Sequence, residues 1–354
     1  LKLDGANLDT FHGWALDEIR RSYRGSIEVD TSSRPGRQVA STLKKQLGMI
    51  PALEAFVQRQ VAALERWLEE KLSPYGGGPW MKEYSGLTTP VVRRLVHLRS
   101  QALKQRDAAR GTAQERLTQV HVIFETAVRR MTQYKEELLK FLTDSKLLAA
   151  HLPNASVGDL KALASFQTAL QGEGGSERRP GAKVAFEDLA LLLRLIQLKN
   201  GGYPDKLRED EIRIYDHLVV DEAQDFGAVE LTALLSSVRT RTGVTIVGDV
   251  NQKIVPDADF IGWDGLAEQL GVDGAAVTRL EVVHRSTGAI MRVADSVIDE
   301  RSSGPVSGST PTLTLASSLA AMVEQTAELL RATYAADRTG HICVVCRTKA
   351  DAES

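Results

Sequence analysis

The stretch that most constrains this chain is LVVDEAQDF, from Leu218 to Phe226. The run from His217 to Val220 predicts a buried strand of a parallel sheet, and Asp221 and Glu222 follow it directly. Ligands of open α/β sheets bind beyond the carboxyl ends of strands, so two carboxylates there are well placed for chemistry. One can hold Mg²⁺ while its neighbour deprotonates an attacking water. The alternative is an acidic loop whose Asp caps the next helix.

Two later apolar runs also end in polar residues. Val244 to Val247 predicts a second strand, and Gly248 to Gln252 (GDVNQ) follow it. Val277 to Val283 predicts a third strand, which ends at HRST (284–287) and leads into a predicted helix from Ala289 to Ile298. Three apolar runs that each end in polar residues agree with an open α/β parallel sheet, in which ligands bind beyond the carboxyl ends of the strands.

These segments resemble the UvrD/Rep/PcrA group of superfamily 1 helicases. DEAQD resembles their motif II, GDVNQKI motif III, and LEVVHRSTGAIMRVADSVI motif IV, at spacings of about 25 and 35 residues. One such motif alone is weak support, whereas three in the family's order are specific. The resemblance implies a RecA-like P-loop NTPase core that uses ATP and Mg²⁺.

The resemblance also implies roles for individual residues. Asp221 helps to hold Mg²⁺, and Glu222 is the catalytic base that activates water. Gln252 contacts the γ-phosphate, and Arg285 is an arginine finger. His284 stands where relatives stack an aromatic ring on adenine.

A segment near the start resembles motif Ib, which touches single-stranded DNA in relatives. In NLDTFHGWA, Thr10 and His12 are the implied nucleic-acid contacts, and Asn251 in motif III is another. Phe11 and Trp14 are expected to be packing residues of a helix that continues to about Tyr23. A purely structural amphipathic helix is the alternative for the whole segment.

A long region between these motifs is predicted to be helical. Apolar spacing predicts helices over Leu43 to Leu72 and Thr89 to Leu148, the latter interrupted at most by Gly111. Val91 to Lys146 contains 12 Lys/Arg and 6 Asp/Glu, a net of +6. A coiled-coil-like hairpin with a basic face is one interpretation, and a solvated helix face is the other. In relatives an inserted helical subdomain, 1B, occupies this position.

The resemblance also predicts how the chain is divided into domains. It assigns 1–23 to RecA-like domain 1A, 24–171 to a long, mostly helical 1B-type insertion, 172–183 to a flexible linker, 184–299 to the rest of domain 1A, 300–311 to a second linker, and 312–354 to the start of domain 2A. In that last segment a helix is predicted from Leu319 to Tyr334 and a strand from Ile342 to Cys346.

The phosphate-binding loop of such enzymes has no counterpart in this sequence. No G-x-x-x-x-G-K-[ST] occurs among the 354 residues. In the family that loop precedes motif Ib, and motifs V and VI follow motif IV. The chain is therefore expected to be a central fragment, inactive by itself, with the loop upstream of Leu1 and motifs V and VI after Ser354.

The composition of the chain argues against several classes of protein. A net charge of -2 argues against a basic coat over the whole surface. No run of 18 apolar residues occurs, which predicts no membrane span, and no signal peptide opens the chain, so a cytoplasmic location is expected. Cys343 and Cys346 form a single CxxC without a second pair, and we interpret them as ordinary strand residues.

Three functions remain open. The first is an ATP-dependent helicase or translocase of superfamily 1A acting on single-stranded or partly duplex DNA. The second is an ATPase of the HelD-like branch that remodels RNA polymerase through its helical arm. It is favoured because Ile254 to Asp257 replace the base-stacking Tyr and Trp of relatives, with Trp263 several residues late. The third is a catalytically silent binding module.

Overall fold

The computed structural model describes residues 7–23, 27–32, 34–170, 183–205, 207, 211–249, 263, 265, 278, 286–297, 309, 311–339 and 341–345. By its contacts the chain divides into two units, Leu1–Val277 and Thr278–Ser354. The described part is a mixed α/β structure that is mostly helical, with short strands.

The first unit contains most of the regular structure. Its helices are α1 (Phe11–Ser22), α2 (Arg37–Lys45), α3 (Met49–Leu72), α4 (Gly78–Gly86), α5 (Val91–Ala108), α6 (Thr112–Met131), α7 (Tyr134–Thr143), α8 (Ser145–His151), α9 (Val157–Leu170), α10 (Leu189–Asn200) and α11 (Ala228–Leu235). Its strands are β1 (Glu28–Asp30), β2 (Lys183–Ala185), β3 (Tyr203–Pro204), β4 (Ile212–Arg213), β5 (Leu218–Val220) and β6 (Val244–Ile246). The second unit contains α12 (Gly288–Val297) and α13 (Leu319–Ala336).

The strands form three pairs within the described residues. β1 and β2 are parallel, β3 and β4 are antiparallel, and β5 and β6 are parallel. The chain leaves β1 at Asp30 and returns as its neighbour at Lys183, so the helices between them begin and end at adjacent points. The predicted strands at His217 to Val220 and Val244 to Val247 are confirmed as β5 and β6, and their parallel pairing agrees with the predicted sheet.

The main core surrounds α10, which is apolar on nearly every side. Leu189 to Ile196 are buried apart from Arg194, as expected for a helix without a polar face. Helices α1, α2, α7, α8 and α9 and the first half of α3 pack into the same cluster. Asp188 lies just before α10, where it accepts from the Ala185 N–H at 2.7 Å and pairs with buried Lys44 at 2.6 Å.

A second cluster lies along a helical hairpin formed by α5 and α6. The buried residues of α5 include Val91, Leu95, Leu98 and Ala102, and those of α6 include Val120, Phe124, Ala127 and Met131. Both sets follow the alternating spacing of four and three residues that is typical of coiled-coil packing. Trp80 of α4 packs against Phe124, with 5.7 Å between ring centroids. The hairpin interpretation is confirmed for residues 91–131, with the turn at Gly111, whereas the basic face as a binding surface stays a prediction.

The prediction of one helix from Thr89 to Leu148, interrupted at most by Gly111, is wrong. Helix α6 ends at Met131, and a further break falls at Asp144, whose side chain accepts from the Leu147 N–H at 3.0 Å and caps α8. Neither break contains Gly or Pro, and the apolar periodicity of the sequence continues through both. For these reasons the sequence did not indicate the breaks. Helices α7 and α8 belong to the main core and not to the hairpin cluster.

Leu43 to Leu72 is likewise divided. Helix α2 ends at Lys45 and α3 begins at Met49. The gap includes Gly48, where an added Cβ would lie 2.1 Å from the His151 carbonyl oxygen. A side chain would therefore clash with the end of α8.

In the second unit, the helices predicted at Ala289 to Ile298 and Leu319 to Tyr334 are confirmed as α12 and α13. The strand predicted from Ile342 is wrong for residues 342–345, which have no regular structure. A strand needs a neighbour to pair its N–H and C=O groups, and none pairs with these residues in the described part of the chain. The run from Val277 to Val283 lies outside the described residues, apart from Thr278. Within the described ranges, every helix is too short or too polar to cross a bilayer.

Candidate functional site at the ends of β5 and β6

The parallel pairing of β5 and β6 brings the two acidic loops together. Leu218 pairs with Val244 and Val220 with Ile246, so the residues after both strands emerge at one edge. Pairing continues past the strands, because the Val247 N–H donates to the Val220 carbonyl at 2.8 Å and the Ala223 N–H donates to the Val247 carbonyl at 3.0 Å. The register fixes the loop carrying Asp221 and Glu222 beside the loop carrying Asp249.

The backbone turns sharply at Glu222. Its φ of 53° and ψ of 44° lie in the left-handed region, and no other non-glycine residue of the described chain has a positive φ. Such a conformation costs about 1–3 kcal/mol and is found mainly where surrounding contacts impose it. The Glu222 N–H donates to Oδ1 of Asp221 at 3.0 Å, and both side chains are exposed. The turn presents two adjacent carboxylates to solvent at a strand end.

Gln224 connects the two loops. Its side chain is 1% exposed, and its Nε2 donates to Oε2 of Glu222 at 2.7 Å. Its Oε1 accepts from the Asp249 N–H at 3.0 Å. The sequence places Gln224 within DEAQD but indicates no role for it, since only the fold reveals the second loop beside it.

Helix α1 packs beside this site through Phe11 and Trp14. Phe11 meets Phe226 edge to face at 5.8 Å, and both Phe11 and Trp14 pack against the cluster around Val220 and Ala223. Their prediction as packing residues is confirmed.

Thr10 and His12, the predicted nucleic-acid contacts, lie at the start of α1. The Thr10 hydroxyl caps the helix by accepting from the Gly13 N–H at 3.1 Å. His12 is exposed and meets Phe186 edge to face at 5.1 Å. Desolvation lowers the pKa of His12, with Glu187 opposing that effect, so the imidazole favours its neutral form. A neutral imidazole can stack or hydrogen-bond but gives no charge attraction to phosphate.

Four predicted site residues lie outside the described residues. They are Asn251, Gln252, His284 and Arg285. Asp249 is the last described residue of motif III, and Ser286 is the first described residue after Arg285. The described part of the site therefore consists of Asp221, Glu222, Gln224 and Asp249.

The donor set at this edge fits Mg²⁺. This ion takes oxygen ligands and is usually held by one or two carboxylates together with substrate phosphates. The exposed carboxylate of Asp221 is suited to that task, and within the described residues no cluster of three His, Cys, Asp or Glu side chains forms a complete metal cage.

A cavity elsewhere in the first unit has a different character. It measures about 440 Å³ and its lining includes Arg34, Arg37 and Glu187. Arg34 pairs with Asp30 at 2.6 Å, and Arg37 pairs with Glu187 at 3.2 Å. Because these charges neutralise one another, the strand-end site is the stronger candidate.

Comparison with known proteins found one family whose matched residues include this part of the chain. A family model described as "AAA domain" matches residues 40–256, more than half of the chain. The match includes DEAQD and Gly248–Gln252, and it begins within α2 and covers the rest of the helical region between β1 and β2. No curated protein matches the chain.

Proposed function

The chain belongs to the AAA-domain family, a P-loop, helicase-like family, and on that basis we propose that it acts as an ATP-dependent DNA helicase or translocase of superfamily 1A. The observation that carries this proposal is the parallel β5–β6 pair, which brings the DEAQD loop and the GDVNQ loop to one edge. Nucleotide-hydrolysing enzymes bind phosphates and activate water at such an edge.

The described residues support a division of labour between two carboxylates. Asp221 would contribute to holding Mg²⁺, which neutralises charge on the phosphates when it is bound. Glu222 would accept the proton of the attacking water. Gln224 holds Oε2 of Glu222 while the side chain remains exposed, so water can reach the carboxylate.

The remaining roles extend the resemblance to residues that have no described geometry. Gln252 would contact the γ-phosphate, Arg285 would reach the transferred phosphoryl group, and His284 would face the adenine. Thr10, His12 and Asn251 would contact the nucleic acid. Thr10 already caps α1, so its share in binding would come from helix orientation as much as from its hydroxyl.

The α5–α6 hairpin is the second element of the proposal, as an arm that contacts nucleic acid. Residues 91–131 contain nine Lys/Arg and three Asp/Glu, so the hairpin alone has a net charge of +6. Lys104, Arg110 and Arg129 are exposed. A surface of this kind binds phosphates with an affinity that falls steeply as salt increases.

One observation favours a second candidate, the HelD-like remodelling of RNA polymerase. Trp263 packs against the cluster of Val220, Ala223 and Leu231 beneath the strand-end site. Trp263 is partly buried there, so less of its indole face is open to a base, and stacking contributes about 1–3 kcal/mol per base. With that contact weakened, the hairpin would serve as a protein-binding arm and DNA would be a weak ligand.

The catalytic assignment is tested by Glu222→Gln in the full-length protein. The amide keeps the shape of the side chain but cannot accept the proton of water, so we expect turnover to fall by about 10²–10⁴-fold. Binding of a fluorescent ATP analogue should remain close to that of the wild type. Turnover within a few-fold of wild type would remove Glu222 from the role of base, and a wild type without any turnover would favour the silent binding module.

The arm is tested by replacing Lys104, Arg110 and Arg129 together with Gln. These side chains are exposed, so folding should be preserved, whereas deleting residues 91–148 would remove core residues such as Phe141 and Leu148. For a helicase we expect lower DNA-stimulated hydrolysis with unchanged basal hydrolysis. Unchanged DNA stimulation together with lost capture of purified RNA polymerase would favour the HelD-like candidate.

A further inference from the structure

The side chain of Gln224 makes hydrogen bonds to both loops of the strand-end site. It lies in the 3₁₀ turn Ala223–Asp225 and is almost fully buried, and both polar ends of its amide make hydrogen bonds. One end binds the Glu222 carboxylate and the other binds the backbone of Asp249. A buried amide with both ends satisfied across two loops fixes the distance between them.

The orientation of this amide follows from its partners. A carboxylate such as that of Glu222 can only accept, so the Gln224 NH₂ group must face it. A backbone N–H such as that of Asp249 can only donate, so the amide oxygen of Gln224 must face it. No other flip of the side chain satisfies both contacts.

We propose that Gln224 is a positioning residue that sets the Glu222 carboxylate according to the position of the loop after β6. This inference rests on the proposed function, because it gives Glu222 the role of base. Movement of the Asp249 backbone would pull on the Gln224 oxygen and shift the carboxylate at the other end. The state of motif III would thereby control how well the base is aligned.

Two features of the backbone make this link possible. An added Cβ at Gly248 would lie 2.5 Å from the Gln224 Oε1 and 3.0 Å from the Ala223 nitrogen, so glycine is needed for this close approach. The left-handed conformation of Glu222 turns the chain so that Gln224, two residues later, can reach back to its side chain. Other side chains fail for separate reasons: a carboxylate would repel Glu222, and an apolar chain would bind neither partner.

The chain offers a matched control in Gln167. That side chain is 3% exposed, and its Nε2 also donates to a carboxylate, Oδ1 of Asp188, at 3.1 Å. It lies on α9, in the main core. Gln224→Met and Gln167→Met remove the same kind of hydrogen bond with little change of volume, and both should lower the melting temperature.

We expect Gln224→Met to lower kcat by about 10- to 100-fold, the scale seen when a catalytic group is slightly misplaced. The KM for ATP should change little. The Asp249 amide should exchange its hydrogen with solvent faster, because its N–H loses the Gln224 acceptor. Gln167→Met should leave kcat and Asp249 exchange unchanged. Gln224→Asn, which keeps the amide on a shorter chain, should move every readout in the same direction and replaces the Met variant if that variant fails to fold.

Equal losses of kcat in Gln224→Met and Gln167→Met, or a wild-type kcat in Gln224→Met, would overturn the inference. Glu222→Gln separates this failure from failure of the proposed function, since retained turnover in that variant overturns the function itself. If the protein shows no turnover, Asp249 exchange and the NMR chemical shift of the Glu222 carboxyl carbon, recorded at one neutral pH, decide. Both must change in Gln224→Met for the link to stand, and unchanged values in that variant overturn it.

Discussion

Charged side chains have opposite environments in the helical region, meaning here the helices α1 to α10 of the first unit, and at the strand-end site. In the helical region, charged side chains are buried in the core and paired there: Lys44 with Asp188, and Lys199 with Glu137. At the ends of β5 and β6, Asp221 and Glu222 remain exposed, and no cation pairs with either carboxylate among the described residues. Charge that is neutralised inside the fold serves structure, whereas charge left exposed on a fixed turn is available to a ligand.

The two regions also differ in the interactions that stabilise them. The helical region has two apolar clusters, and α10 lies at the centre of one of them. The strand-end site rests on strands of three residues, a small cluster around Val220, and the hydrogen bonds of Gln224. Local stability should follow this difference, because regions with few buried apolar contacts open at lower free energy. Substitutions in the two regions can test the contrast, beginning with the largest expected effect.

Lys199→Met should be the most damaging of these substitutions. Lys199 is fully buried, pairs with Glu137, and donates to the Met131 carbonyl at 3.3 Å, where α6 ends. Its loss leaves a buried carboxyl without its partner, which costs about 3–5 kcal/mol. We expect the free energy of unfolding in urea at pH 8 to fall by that amount. The double variant Glu137→Leu with Lys199→Met should recover most of the loss, since an apolar pair of similar volume is often neutral or stabilising.

The same variant should depend on pH in a defined direction. Desolvation raises the pKa of Glu137, and Lys199 opposes that effect in the wild type. Without Lys199 the folded-state pKa rises further above the unfolded value, so the native state holds a proton that the unfolded chain has released. Stability is then lost as pH rises through the folded-state pKa, and the deficit should be smaller at pH 5 than at pH 8. A deficit independent of pH would show that packing, not charge, dominates.

Gly248→Ala should have an intermediate effect, concentrated on the site. The new Cβ would meet the Gln224 Oε1 and the Ala223 nitrogen, so either the amide or the backbone must move. Overpacking of this kind costs about 1–3 kcal/mol. We expect lower stability together with a loss of turnover, measured by urea unfolding and ATP hydrolysis. Gly86→Ala is the control, since its Cβ would meet nothing within 4 Å and both readouts should stay near wild type.

An exposed ion pair provides the contrast to Lys199 and Glu137. Arg239 pairs with Asp216 at 2.9 Å, with their side chains 64% and 84% exposed. Arg239→Met should cost under about 1 kcal/mol in the same urea assay. A loss comparable to that of Lys199→Met would break the distinction between buried and exposed charge on which the comparison depends.

The sequence was sufficient to predict where the two strand-end carboxylates lie and several elements of the fold. An apolar run followed by DEAQD predicted β5 and the carboxylates after it, and apolar periodicity predicted α1, α12 and α13. Gly111 marked the turn of the hairpin because glycine readily adopts its φ of +60°. Each of these signals is local, which is why it could be interpreted without the fold.

The features that sequence analysis missed depend on distant contacts. Lys199 and Glu137 are 62 positions apart, and nothing near either residue indicates that they meet inside the core. Gln224 and Asp249 are separated by 25 positions, so the role of Gln224 emerged only when β5 and β6 were seen to pair. The end of α6 at Met131 has no Gly or Pro nearby, and the Lys199 contact to the Met131 carbonyl is again long-range.

Val219→Thr should have the smallest effect and tests the strand itself. Val219 is 63% exposed, whereas its neighbour Val220 is 4% exposed, as the alternating faces of a strand require. Threonine keeps the β-branched shape and adds a hydroxyl, so at position 219 the free energy of unfolding should stay within about 0.5 kcal/mol of wild type. Val220→Thr buries that hydroxyl in the cluster with Ala223 and Leu231 and should cost about 1–3 kcal/mol. Urea unfolding of both variants measures the difference directly. Equal losses would mean that both faces of β5 are covered in solution, and the strand-end region would then be as firmly packed as the helical one.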